Sequence, residues 1–151
     1  LKPDELKLAR GWLADAHFVD GKLSAGAAAR RVKENEELER GAADIERLDR
    51  LVMGALSRHP MYRNGALPLH AASPLYARYR PGMTYGEHLD DPIMGTGGVL
   101  YRSDVAVTVF LIKNAASYEK AAALLMNHEI NVIHIEHERQ LHEISPARIG
   151  R

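Results

Sequence analysis

The hydrophobic period changes along this chain, and that change limits the fold more than any other feature. From Asp44 onward, Ile45, Leu48, Leu51, Val52, Ala55 and Leu56 recur at the spacing that lays an apolar stripe along one side of a helix, which His59-Pro60 closes. Upstream, Pro3, Asp4 and Glu5 suit a first helical turn, and Leu6, Ala9, Leu13 and Ala16 follow at helical spacing beside Trp12. Between the two helices, His17 to Gly21 reads as a strand entering an Asp-Gly turn. Beyond a proline-bearing connection from Ala66 to Ala72 the pattern becomes extended: Leu75 to Tyr79 has strand character and Pro81-Gly82 turns the chain. Val105 to Ile112 is β-branched and apolar on both faces, the pattern of a central strand covered on both sides. Ser117 to Leu125, with three consecutive alanines, reads as helix, and Ile130 to Ile135 as extended.

These elements, within 151 residues, predict one mixed α and β domain, mainly helical over 1–60 and strand-rich over 61–151. Hydrophobic residues at 46% and charged residues at 26% exclude a disordered or fibrous chain. Twenty basic side chains balance twenty acidic ones, so the broad attraction on which nucleic-acid binding rests is missing, and no nucleic-acid partner is expected. No apolar run approaches the ~20 residues needed to cross a bilayer, and the start has nothing like a signal peptide, so a cytoplasmic protein without a membrane partner is expected. Leu1 at one end and Ile149-Gly150-Arg151 at the other are expected to be trimmed ends. Homo-oligomerisation is left open.

With no cysteine, any metal must be held by imidazole and carboxylate. Tyr79-Arg80-Pro81-Gly82-Met83-Thr84-Tyr85-Gly86-Glu87-His88-Leu89-Asp90 is the informative segment. In a strand, residues two apart share a face, so His88 and Asp90 would reach one ion while Leu89 points away. One imidazole and one carboxylate are two-thirds of a facial triad; a second histidine from His128, His134, His137 or His142 would complete it and leave positions open for a keto acid and dioxygen. Alternation would put His134 and His137 on opposite faces.

Arg78-Tyr79, Gly82-Met83, Tyr85-Gly86, His88 and Asp90 are similar to the ligand-bearing stretch of PKHD-type hydroxylases, within the prolyl 4-hydroxylase-like superfamily. The resemblance takes in Val19-Asp20-Gly21-Lys22, Ala25-Gly26, Val32-Lys33, Ala55-Leu56-Ser57 and Ala66-Leu67-Pro68 upstream, and Arg102-Ser103-Asp104-Val105 and Phe110-Leu111 downstream, and so covers residues 1–112. It implies a double-stranded β-helix, jelly-roll-like, as the core over 61–151, with the N-terminal helices packed outside as support. Where the family continues into a Gly-Gly-Glu-Leu-like strand, this chain has Glu119-Lys120-Ala121-Ala122-Ala123, so that strand is expected to be altered or absent and the β-helix incomplete at its C-terminal end.

The activity implied is hydroxylation with Fe(II), 2-oxoglutarate and dioxygen, which releases succinate and carbon dioxide, with L-ascorbate as a helper that re-reduces the iron. Leu141-His142-Glu143-Ile144-Ser145-Pro146 resembles the distal ligand segment, which makes the implied metal set His88, Asp90 and His142. Tyr79 matches a tyrosine near the keto acid, with a plain core aromatic as its other reading. Arg151 stands one position short of the arginine that pairs with the far carboxylate of 2-oxoglutarate. A small-molecule or peptide substrate is expected, its pocket walled by loops such as Ala71 to Pro74 and Asp91 to Tyr101. One competing expectation is a catalytically impaired metal-binding or protein-interaction relative of the same fold; another is a docking surface on the alanine-rich helix near Ala121.

Overall fold

A computed structural model describes residues 1–90, 92–96, 99–111 and 130–139 of the chain. Both N-terminal helices form where the apolar stripes predict them. Helix α1 spans Pro3–Ala14; Pro3 opens it, and the Lys2 backbone N–H donates to Glu5 Oε2 at 2.8 Å, satisfying one donor of the first turn. Helix α2 spans Ile45–Arg58 and stops at His59, whose extended backbone (φ −85°, ψ 121°) is the conformation a following proline imposes.

The strands are β1 (Phe18–Asp20), β2 (Lys33–Glu34), β3 (Glu36–Leu38), β4 (Pro68–Ala71), β5 (Leu75–Tyr79), β6 (Thr84–Tyr85), β7 (Ile93–Thr96), β8 (Val99–Arg102), β9 (Val105–Phe110) and β10 (Ile130–Arg139). Every pairing among them is antiparallel. The main sheet runs β1, β3, β5, β10. His137 of β10 pairs with Ala71 of β4 on one side and with Val105 of β9 on the other, while His134 pairs with Leu75 of β5 and with Thr108 of β9. β4 and β5 therefore lie end to end along one edge of β10, interrupted at 72–74, where Pro74 has no N–H to give the ladder. β9 lines the opposite edge. Two smaller ladders, β2 with β6 and β7 with β8, complete the described sheets, which do not close into a β-helix.

Helices cover one face of the main sheet. Ala9 and Leu13 of α1 and Leu48 and Val52 of α2 are buried with Leu38 of β3, Tyr76 of β5 and Leu111, and Trp12, Phe18, Leu51 and Val109 pack around them. Three polar contacts brace this layer. Arg58 pairs with Glu5 between the helices, the Arg47 guanidinium lies 4.5 Å from the Trp12 ring centre, and the Tyr76 hydroxyl donates to Asp49 Oδ1 at 2.7 Å. Burial pushes the Asp49 carboxyl up despite that bond, and burial together with the Asp49 carboxylate pushes the Tyr76 phenol up. At the far end of β5, Arg78 and Arg80 both donate to Glu36 Oε2, at 2.7 and 3.0 Å, and Arg78 stacks 3.9 Å from the Phe18 ring centre.

Several expectations change. Val105–Phe110 is not a doubly covered central strand: among the described residues it pairs with β10 alone, and along it Ala106 and Thr108 are exposed between half-buried neighbours. The long central strand is β10, extended to Arg139. The connection from Ala66 to Ala72 contains β4, and most of the loop expected from Asp91 to Tyr101 belongs to the β7–β8 hairpin. The helix expected over Ser117 to Leu125 lies outside the described residues. No helix among those described is long and apolar enough to cross a membrane.

Gly21 begins a 3₁₀ turn after β1, and its N–H donates to the Asn35 carbonyl at 2.9 Å. A Cβ there would meet Asn35 Oδ1 at 1.9 Å and the Asn35 carbonyl oxygen at 3.0 Å, whereas at Gly11 of α1 it would meet nothing within 4 Å. Gly21→Ala is expected to lose about 1–3 kcal/mol of stability by overpacking, and Gly11→Ala to gain up to about 1 kcal/mol by helix propensity, both read from urea unfolding midpoints. Burial raises the Glu36 carboxyl, but the Arg78 and Arg80 hydrogen bonds and charges outweigh it and hold the group below its ordinary value. A depressed carboxylate contributes stability above its unfolded value, about 4.3, and loses it as pH falls through the folded one. The stability gap between wild type and Glu36→Gln should thus be widest near neutral pH and narrow below about pH 4.

Candidate metal centre

Strand alternation gives the main sheet a second face unlike the first. In the segment from Lys33 to Leu38, Glu36 and Leu38 lie toward the helices, so Glu37 takes the opposite side; with it go Lys33 and Asn35, and all three polar residues are about 95% buried. Lys33 Nζ pairs with Glu37 Oε1 and donates to Ser24 Oγ at 3.0 Å. Asn35 hydrogen-bonds the Tyr79 phenol, and its Oδ1 is buried without a partner. These residues form a buried polar floor.

The β2–β6 ladder lies next to that floor. It pairs Lys33 with Tyr85 and Glu34 with Thr84, and the Gly86 N–H donates to the Val32 carbonyl at 2.9 Å. Arg80-Pro81-Gly82-Met83 is the tight turn leading into it: the Met83 N–H reaches the Arg80 carbonyl at 3.0 Å, and Gly82 takes φ +87°. Gly86 also has to be small, since a Cβ would lie 3.0 Å from Val32 Cβ.

After Gly86 the ladder ends, and residues 86–90 are irregular rather than the strand expected from the His-x-Asp spacing. His88 and Asp90 nevertheless come together, with Nε2 of the imidazole 3.2 Å from Asp90 Oδ1. A turn, not alternation, brings them there. His88 Nδ1 lies 2.7 Å from the Gly86 carbonyl oxygen, which can only accept, so Nδ1 carries a proton and Nε2 is the ring nitrogen that faces the carboxylate. Two lone-pair donors facing each other across 3.2 Å require a positive charge between them, either a proton or a cation. A separation of ~3 Å is also what neighbouring ligands show when each lies ~2.1 Å from one ion. The donor set fits a divalent metal, with His88 one-fifth exposed and Asp90 three-fifths exposed on the open side. Leu89 between them is 96% exposed, pointing away as expected.

Tyr85 stacks on the His88 ring, with centroids 3.7 Å apart and planes 11° from parallel, and Lys33 Nζ lies 5.1 Å from the Tyr85 ring centre. Burial, then the Asp90 and Glu37 carboxylates, push the Tyr85 phenol up. Burial outweighs the Asn35 hydrogen bond to raise Tyr79 as well, so both phenols remain donors at neutral pH. Tyr79 is half-buried in β5, within the electrostatic reach of Tyr85 and Glu37. Among the described residues no group of three His, Asp or Glu side chains gathers at one point. His128, His142 and Arg151 lie outside the described residues. His134 and His137 occupy β10, three positions apart, as the extended reading of that segment places them.

Sequence reasoning gave Lys33, Asn35 and Glu37 no part in this site, and placed Tyr85 in the ligand-bearing stretch without a role. The one available signal was the strand-like alternation of Lys33, Asn35 and Glu37 with Glu34, Glu36 and Leu38, and polar residues on both sides hide which face is buried.

No family model matches the chain. Among curated relatives, it is 51% identical over 110 residues to a PKHD-type hydroxylase of Thioalkalivibrio sulfidiphilus, an alignment covering 73% of this chain and 49% of that protein. It is 34% identical over 161 aligned positions to a PKHD-type hydroxylase of Gloeothece citriformis, covering 99% of this chain and 70% of that protein. A PKHD-type hydroxylase of Hyphomonas neptunium is 43% identical over 116 residues, covering 74% of this chain and 50% of that protein. The chain thus spans about half the length of most relatives it matches.

The buried Lys33–Glu37 pair makes the floor sensitive to single substitution. Lys33→Met would leave Glu37 uncompensated and is expected to lose about 3–5 kcal/mol, while Lys33→Met with Glu37→Leu should recover most of it, measured by denaturant unfolding.

Proposed function

The chain belongs to the PKHD-type hydroxylases, and on that premise we propose that it hydroxylates an unactivated C–H bond with dioxygen and 2-oxoglutarate at a non-haem Fe(II) centre. The observation that carries the reading is the meeting of His88 Nε2 and Asp90 Oδ1, with His88 Nδ1 engaged by the Gly86 carbonyl on the other side of the ring. His88 and Asp90 would hold the iron together with His142. Fe(II) held there would supply the redox chemistry by which 2-oxoglutarate and dioxygen yield succinate, carbon dioxide and the hydroxylated product.

The chain's own residues bind and orient. The Gly86 carbonyl keeps the proton on Nδ1 and so leaves Nε2 free to ligate. Tyr79, kept protonated by burial, is a donor suited to an oxygen of 2-oxoglutarate, and Arg151 would take the far carboxylate through its planar fork. The antiparallel sheet, helix-covered on one face and polar on the other, supports a double-stranded β-helix core, which is part of this proposal. L-Ascorbate is the expected auxiliary reductant. The substrate class is a small molecule or peptide entering from the side on which Asp90 is exposed.

Purified chain incubated aerobically with Fe(II) and 2-oxoglutarate should produce succinate, and His88→Ala and Asp90→Ala should each abolish both that turnover and stoichiometric Fe(II) binding while leaving helix content unchanged. His142→Ala should behave in the same way, and His134→Ala should not. Stoichiometric iron retained by both the His88 and Asp90 variants would remove the centre from this position. Iron bound without succinate formation would instead mark a catalytically impaired relative.

A further inference from the structure

Ligation by His88 depends on where its Nε2 lone pair points, and that lone pair lies in the plane of the ring. The Nδ1 bond to the Gly86 carbonyl fixes one point of the imidazole but leaves the plane free to rotate about the bond. The Tyr85 ring, 3.7 Å away and 11° from parallel, supplies the missing restraint. Tyr85 does not float. It pairs with Lys33 across the β2–β6 ladder, the Lys33 ammonium sits 5.1 Å from its ring centre, and Lys33 is itself tied to Glu37 and to Ser24. The next N–H along, that of Gly86, is bonded to Val32, so the backbone between the two rings is anchored at both the aromatic and the acceptor end.

We propose that Tyr85 is a positioning residue for the metal centre, its ring plane holding the His88 imidazole so that Nε2 faces the ion shared with Asp90. The inference rests on the metal-binding reading above and adds a residue outside the ligand pair that acts through His88. The aromatic plane carries the role, not the hydroxyl group, so phenylalanine should substitute and an aliphatic residue of similar bulk should not.

Co(II), competed against a chelator on the full chain, is the probe. Tyr85→Leu should weaken Co(II) binding by about 10–100-fold, as loss of a partner that orients a ligand does, and alter the visible Co(II) spectrum; Tyr85→Phe should restore both to wild-type values. In the metal-free chain, NMR should show the His88 Hδ2 and Hε1 resonances displaced upfield by the Tyr85 ring in wild type and Tyr85→Phe. That displacement should vanish in Tyr85→Leu. Equal Co(II) affinity in wild type and Tyr85→Leu, with none in His88→Ala, would overturn the positioning role while leaving the ligand pair intact. Equal affinity in wild type and His88→Ala would overturn the metal centre and the inference with it. Should Tyr85→Leu fail to fold, the wild-type resonances decide alone, and an absence of the upfield displacement overturns the stack.

Discussion

A buried ion pair between Lys33 and Glu37 is the constraint around which the rest of the described site is arranged. Two charges more than nine-tenths buried are tolerable only with close partners, and here the partners are each other and the Ser24 hydroxyl. The pair spans β2 and β3 across the single residue that separates them, so the ribbon that carries Tyr85 and leads to His88 is tied to the sheet whose other face holds the hydrophobic core. Loss of either partner alone would leave a charge in the floor beside Asn35, whose Oδ1 already lacks a partner.

The main sheet accordingly separates two kinds of interior. On the helix side, burial of leucine, valine and tyrosine provides most of the stabilisation, and polar groups such as Tyr76 and Arg78 are paired there, with Asp49 and Glu36, while Arg47 Nε is buried without a partner. On the other side, burial is spent on orientation. Tyr79, Tyr85, Asn35 and Lys33 are held by one another, and the turn from Gly86 to Asp90 follows without a ladder. A ligand pair on an irregular segment needs such support because the segment has no ladder of its own, and the imidazole is therefore restrained by a carbonyl at its edge and a ring on its face.

Both helices were legible because an apolar stripe at helical spacing, a proline near one start and a proline beyond one end are local signals. Pro81-Gly82 announced its turn for the same reason. Val105–Phe110 misled because a β-branched apolar run looks alike whether it is covered on both faces or on one, and its place beside β10 is decided by partners from Val132 to His137, far along the chain. The strands from Lys33 to Leu38 were not anticipated because lysine, asparagine and glutamate dominate them, and polar side chains become buried only when a specific partner waits in another segment.

His88 and Asp90 were visible as donor types and their proximity was expected, yet the reason was different, a turn closed on Gly86 in place of a strand. By itself the sequence determined the two helices, the turn at Gly82, the restriction of any metal to nitrogen and oxygen ligands, and membership of its family, since each depends on residue identity and short-range spacing. The tertiary structure alone decided that Tyr85 lies on His88, that Lys33 finds Glu37 beneath it, and that β4 and β5 share an edge of β10. Those outcomes depend on register between segments far apart in the chain, and a one-residue slip in any of them would turn the same side chains to the opposite face.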